Sequence, residues 1–289
     1  MPATGNPTAR RRELGFMLRS LRAGSGLTSQ QVADQLGVSR WKVSRLENGQ
    51  RGASAADIAR LCDLYQVDEE YRSRLIELAA EGKERGWWPH SLPDAAYVGL
   101  EEEAESISDY GLAVVPGLLQ VPDYARALVR AGGPTLLPKV IEERVQTRMT
   151  RQDRLLSGSI RNFAAVLDES VLHRVVESPA VMAAQLKRLL EMSQLPNVTI
   201  RIVPFDAGVV PAGVNKFIIM RFAKAGAPDM VFIEDLTGRR YLETPNDVET
   251  YSTIFQTLTE LSANPNISAA MILTKLTAYE SAASRQFRN

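Results

Sequence analysis

One cysteine, Cys62, has no internal partner, so no disulfide braces this chain and nothing in it calls for an oxidising compartment. Only two histidines, His90 and His173, are present. A zinc site would therefore have to be carboxylate-rich, and no cluster with metal-ligand spacing occurs, so no metal and no cofactor are predicted. The longest apolar stretches, Leu112 to Leu119 and Phe217 to Met220, fall far short of the roughly 20 residues a bilayer-spanning helix needs. No membrane partner follows. Behind Arg10, Arg11 and Arg12 there is no apolar signal region, which predicts a cytoplasmic protein. A phosphate-cradling glycine loop is missing as well.

The chain also lacks net charge, but its charges are unevenly spread. Residues 1–53 hold nine cations (Arg10, Arg11, Arg12, Arg19, Arg22, Arg40, Lys42, Arg45, Arg51) against three anions (Glu13, Asp34, Glu47), a net of +6, which leaves −6 for the remainder. A surface for a polyanion is thus confined mainly to the N-terminal part. With 289 residues, 45% hydrophobic and 24% charged, the chain has the composition of a globular protein of two domains.

Leu14, Met17, Leu18 and Leu21 recur at helical spacing and predict a first helix ending near Gly24 to Gly26. Thr28-Ser29 caps a second, carrying Val32, Ala33 and Leu36, and Gly37 supplies a tight turn. Ser39 caps a third helix, Arg40 to about Asn48. This turns Val43 and Leu46 inward and Arg40, Trp41, Lys42, Ser44 and Arg45 outward. Ile58, Leu61, Cys62 and Tyr65 mark a fourth helix, and Tyr71, Leu75 and Leu78 a fifth. Helix, glycine turn and cationic helix is the arrangement that presents a helix to the DNA major groove.

The run Ser29 to Arg51, SQQVADQLGVSRWKVSRLENGQR, resembles the XRE family of lambda-repressor-like helix-turn-helix regulators. That resemblance implies an all-α, five-helix DNA-binding domain at 11–82, behind a disordered tail at 1–10. It makes Arg40, Trp41, Lys42, Ser44 and Arg45 the candidates for base contact, since arginine's planar fork matches guanine O6 and N7. Ser29, Asn48 and Arg51 become candidates for phosphate contact. Arg22 and Glu47 match a pair that clamps the bundle. Two readings of Trp41 stay open: contact with a thymine methyl, or packing back on the bundle.

Charge, glycine and proline between Glu81 and Pro93 signal a boundary, and the adjacent Trp87 and Trp88 are too apolar to stay fully wet. A linker at 83–96 is expected, with at least one tryptophan docked on the second domain. From residue 97 to 284, helical patterns alternate with strand-like runs, predicting a mixed α/β (α+β) domain. Its strands are expected at 162–167, 198–203, 215–221, 230–233 and 240–242. Helices are expected after Ser178-Pro179 and Thr244-Pro245, over Lys139 to Leu156, and over Ser268 to Ser284, the last reaching to another subunit or domain. Arg144, Arg148, Arg151 and Arg154 are expected to pair along their own helix with Glu142, Glu143 and Asp153.

Asp168, Glu169, Ser170 and His173 lie close in sequence, but no nucleophile-elbow glycines surround Ser170. Helix capping by Asp168 and Ser170 is the expectation, with no catalytic residue and no enzyme. The phrases Tyr97-Val-Gly-Leu-Glu, Val115-Pro-Gly-Leu-Leu-Gln, Asp123-Tyr-Ala-Arg-Ala, Val166-Leu-Asp-Glu-Ser and Val203-Pro-Phe resemble an uncharacterised domain that follows XRE-type domains in many actinobacterial regulators. Many of that group look antitoxin-like, which implies a small protein partner from a neighbouring gene. The expectation is a dimeric transcriptional regulator of double-stranded operator DNA, modulated by that partner. Two alternatives stand beside it: a small-molecule-responsive factor, and a partner-neutralising protein that binds DNA only to autoregulate.

Overall fold

The computed structural model describes residues 6–84, 86–89, 92, 95–133, 135–211, 215–223, 228–235 and 238–286. His90 and residues 1–5 of the expected tail lie outside them. The chain divides into two compact units: the first runs to Glu103 and also takes in Ala223 and Pro228, and the second comprises Ala104–Phe222 and the chain from Asp229 onward.

The first unit is helical: α1 (Pro7–Gly24), α2 (Ser29–Leu36), α3 (Arg40–Glu47), α4 (Ala55–Tyr65), α5 (Glu69–Glu81) and α6 (Ala95–Glu103). Residues 7–10, expected in the tail, are the first turn of α1. Asn6 caps the backbone N–H groups of Thr8 and Ala9 at 3.1 and 3.2 Å, and Pro7 occupies the first helical position, where its missing N–H costs nothing. Arg10 is thereby fixed, pairing with Glu13 at 3.0 Å and with Glu81 of α5 at 2.7 Å. Leu14, Leu18, Val32, Ala33, Val43, Leu46, Ile58, Leu61, Cys62, Leu75 and Leu78 form the core that the helical spacing predicts.

Two glycines set how closely α1 approaches α3. A Cβ on Gly15 would stand 2.6 Å from the Glu47 carbonyl oxygen, and one on Gly49 2.9 Å from the Arg12 Cα. Gly49 also has φ +65°, the left-handed conformation that ends α3.

The tryptophans lie against residues 98 and 102, inside the span expected for the second domain, although the helix that carries those residues belongs to the first compact unit. Trp88 is 4% exposed and packs with Leu92, Ala95 and Val98, all residues of the first unit, and the Trp87 indole N–H donates to Glu102 at 3.1 Å. The reason is α6, which returns onto α1. Gly99 permits this approach, since its Cβ would lie 2.6 Å from that of Thr8, and its carbonyl accepts from the Asn6 amide.

Among the described residues of the second unit, six strands form one sheet: β1 (Ser106–Gly111), β2 (Asn162–Asp168), β3 (Val198–Val203), β4 (Phe217–Arg221), β5 (Met230–Asp235) and β6 (Gly238–Leu242). Their order is β3-β2-β1-β4-β5-β6; the first three run parallel, and β4 to β6 form an antiparallel meander. Central strand β1 went unpredicted, because Ser108 and Asp109 within it are polar yet buried, so it shows neither alternation nor an apolar run.

Helices α7 (Pro122–Gly132), α8 (Pro138–Leu156), α9 (Ser170–His173), α10 (Pro179–Met192), α11 (Pro245–Leu261) and α12 (Pro265–Gln286) complete the unit. Tyr110, Val166, Phe217, Ile219, Val231 and Ile233 meet Leu258 and the half-buried Tyr251 and Phe255 of α11. Helix α12, expected to reach elsewhere, packs on α10 and β3 of its own unit. Ser268 secures it, accepting from the Ile202 backbone N–H at 2.9 Å and donating to the Ala263 carbonyl at 3.1 Å.

Side chains of α8 also meet partners beyond their own helix. Glu142 pairs with Arg126 of α7 at 2.6 Å, Arg148 donates to Gln120 at 2.7 Å, and Arg154 donates to the Ala104 carbonyl at 3.4 Å. The tertiary fold supplies these acceptors around the buried Gln120, Gln152 and Gln185, which hold the carbonyls of the 115–120 loop. Asp168 accepts from the Ser170 backbone N–H at 2.9 Å, and the Ser170 hydroxyl donates to the Leu112 carbonyl at 2.8 Å. His173 faces Glu169 at 3.1 Å, not the Ser170 hydroxyl.

Candidate nucleic-acid interface

The turn between α2 and α3 is specified locally at each end. Thr28 accepts from the Gln31 N–H at 3.2 Å while the Gln31 side chain reaches back to the Thr28 N–H at 2.8 Å, a reciprocal capping box. Gly37, at φ +64°, terminates α2 in the left-handed conformation, and Ser39 then accepts from the Lys42 N–H at 3.2 Å to open α3. Helix α3 buries Val43 and Leu46, which leaves its opposite face to solvent.

The Arg22 guanidinium binds the Glu47 carboxylate through two hydrogen bonds of 2.7 and 3.0 Å, and donates a third to the Leu27 carbonyl at 3.0 Å. Its pKa is raised, chiefly by the Glu47 hydrogen bond. Burial, together with the Glu47 charge, pushes the nearby Tyr65 hydroxyl up to about 12, so it stays protonated at physiological pH. Arg19 donates to the Glu47 carbonyl at 3.1 Å and to the Asn48 side-chain oxygen, tying the end of α3 to α1. Sequence reasoning assigned no role to Arg19, because its partner is a backbone carbonyl that only the packing of α1 on α3 brings near.

Internal pairing uses most of the cations counted in the sequence. Arg10 and Arg22 hold carboxylates, Arg11 donates to the Gly82 carbonyl at 3.4 Å, Arg12 is buried, and Arg19 caps α3. Lys42 was expected to face outward with the base-contact group. Instead it is half-buried, with its ammonium 2.6 Å from Asp57, the residue that completes the Ser54 cap of α4. Its reach is taken by a neighbouring helix.

What remains outward is compact. Arg40, Arg45 and Arg51 are exposed and form no ion pair among the described residues. Trp41 is 78% exposed, which excludes the reading in which its indole packs back on the bundle. Ser44 is half-buried beside Asn48, whose amide points to it at 3.4 Å, and Ser29 is the half-buried first residue of α2. The structure thus brings Arg40, Trp41 and Arg45 together on one exposed helix, with Arg51 just beyond it.

A short capped helix, apolar beneath and cationic above and following a glycine turn, defines a helix-turn-helix DNA-binding regulator. The comparisons with known proteins agree: residues 13–75 match the family described as Helix-turn-helix domain. The chain belongs to the family described as Domain of unknown function (DUF5753), which it matches over residues 94–274, more than half its length. It is also similar to the Competence pilus inhibition repressor of Acinetobacter baylyi, being 31% identical over 94 residues, which are 32% of this chain and 86% of that protein. No described helix is long and apolar enough to cross a membrane.

Proposed function

We propose that this chain is a cytoplasmic, sequence-specific transcriptional regulator of the XRE type that binds operator DNA as a homodimer and represses a nearby promoter. The observation that carries this reading is the selective exposure on and just beyond α3: Arg40, Arg45, Arg51 and Trp41 stay open to solvent while the other cations of residues 1–53 are paired, capped, buried or half-buried. Three unpaired guanidiniums beside one two-turn helix suit a polyanion whose base edges offer paired acceptors. Dimerisation follows from size, because eight residues of helix read too few base pairs for useful specificity. The similarity to a named repressor supports repression as the output.

In this reading the second unit modulates DNA binding through a small protein partner, as in the antitoxin-like actinobacterial regulators that the sequence resembles. A second reading, control by a small molecule, is favoured by Tyr110. This residue is fully buried among Phe217 and the sheet core, and its hydroxyl has no hydrogen-bond partner among the described residues.

The test is nuclease footprinting of the DNA upstream of the gene, followed by titration of the protected duplex. Arg45→Ala should cost about 1–3 kcal/mol on that duplex and little on random DNA of equal length. Equal losses on both would demote Arg45 to a phosphate contact, and no protected segment at all would remove the regulator reading. Co-purification with the product of the adjacent small gene would support the partner model, whereas a metabolite-induced rise in melting temperature would support the sensor.

A further inference from the structure

We infer that Trp41 reads the 5-methyl group of a thymine in the major groove, within about two base pairs of the guanine that Arg45 meets; this rests on the operator-binding reading above. Trp41 and Arg45 are four residues apart on α3, which places them on one face and about 6 Å apart along the helix axis. A base-pair step is about 3.4 Å. The two side chains therefore address neighbouring or next-neighbouring pairs.

What Trp41 can meet there is limited by chemistry. An indole offers a broad apolar face and one N–H donor, and no acceptor. At 78% exposure, and with no partner among the described residues, the indole gains nothing from the monomer's own core. The other two tryptophans are treated differently: Trp88 is buried, and Trp87 spends its N–H on Glu102. Phosphates are met by charge, which Arg40 and Arg51 already supply around it. The apolar feature a major groove presents is the pyrimidine 5-methyl group. With Lys42 held by Asp57, the other long exposed side chain in the first turn of α3 is Arg40, whose guanidinium is a donor that seeks acceptor oxygens rather than a methyl group.

The experiment uses the full-length protein and the duplex obtained by selection from a randomised pool. Each thymine of the half-site is replaced in turn by uracil, which removes the methyl and nothing else. One replacement per half-site should weaken wild-type binding about three- to fivefold, the effect of one buried methyl-sized group. Trp41→Ala, a change at an exposed position that leaves the core intact, should bind the thymine and uracil duplexes equally. A further arm places cytosine or 5-methylcytosine at the sensitive position. Preference for the methylated form identifies the methyl itself as the contact, and equal binding of the two forms overturns the inference.

Absence of any uracil penalty beyond experimental error overturns it too, as does a penalty that persists in Trp41→Ala. These failures leave operator binding standing, because the selected duplex is itself evidence of sequence preference. Failure of the selection to converge on any sequence would sink both.

Discussion

Replacing Glu47 with alanine removes two of the three acceptors of the Arg22 guanidinium while leaving the apolar side of α3 untouched. Each charge-assisted hydrogen bond contributes roughly 1.5–3 kcal/mol net. Arg22 retains 19% side-chain exposure and its bond to Leu27, so part of the loss is recovered by water, and Glu47→Ala should cost about 3 kcal/mol. Arg22→Ala should cost more, about 4 kcal/mol, because it strands a carboxylate that is only 7% exposed. The double variant should lose about 4 kcal/mol rather than the sum, a coupling of about 3 kcal/mol. Native-state hydrogen exchange on the full chain, read on the peptide covering residues 40–48, reports the opening of the first unit separately from the second. A Glu47→Ala effect below about 0.5 kcal/mol, or strict additivity in the double variant, would refute the claim that this pair clamps α1 to α3.

Three further outcomes follow from the same geometry. Gly15→Ala should destabilise the first unit by about 1–3 kcal/mol, because its Cβ would meet backbone oxygens that cannot yield. Gly24→Ala, with nothing within 4 Å, should be neutral or stabilise slightly, and matched melting curves would distinguish the two. Burial would raise the Asp57 carboxyl, but hydrogen bonds from Lys42 and Ser54 outweigh it and hold its pKa below the ordinary carboxylate range. Stability from Asp57 is therefore complete above its unfolded value of about 3.9 and is lost as pH falls through the lower folded value. A stability profile between pH 2 and 8 should have a lower neutral plateau in Asp57→Asn and lose part of its acid slope, so that the two profiles converge at the acid end. Finally, Lys42→Ala should leave discrimination between operator and random DNA unchanged in paired titrations, while a loss matching that of Arg45→Ala would return Lys42 to base readout.

The first unit was largely legible because its signals are local. Caps at Thr28 and Ser39, the left-handed glycine at 37, and apolar residues at helical spacing each act within a few residues of themselves. The start of α1 was misjudged although Asn6-Pro7 is a capping signal, since a run of three arginines next to it reads as a solvated tail. In the second unit, strands that alternate or carry apolar runs were visible. Central β1 was not, because burial of Ser108 and Asp109 depends on neighbours that arrive from distant parts of the chain. Helix α7 was also missed, although Pro122 at its first position and Asp123 in its first turn mark its start.

Sequence alone settled that a helix would begin after Ser39 with Arg40, Trp41 and Arg45 on it, because cap, turn and periodicity are properties of adjacent residues. It could not decide which cations remain available, since ion pairs form between residues far apart in the chain. Packing of α1, α3 and α4 assigned Arg19, Arg22 and Lys42 to internal partners, and the same packing left Trp41 with no core to enter.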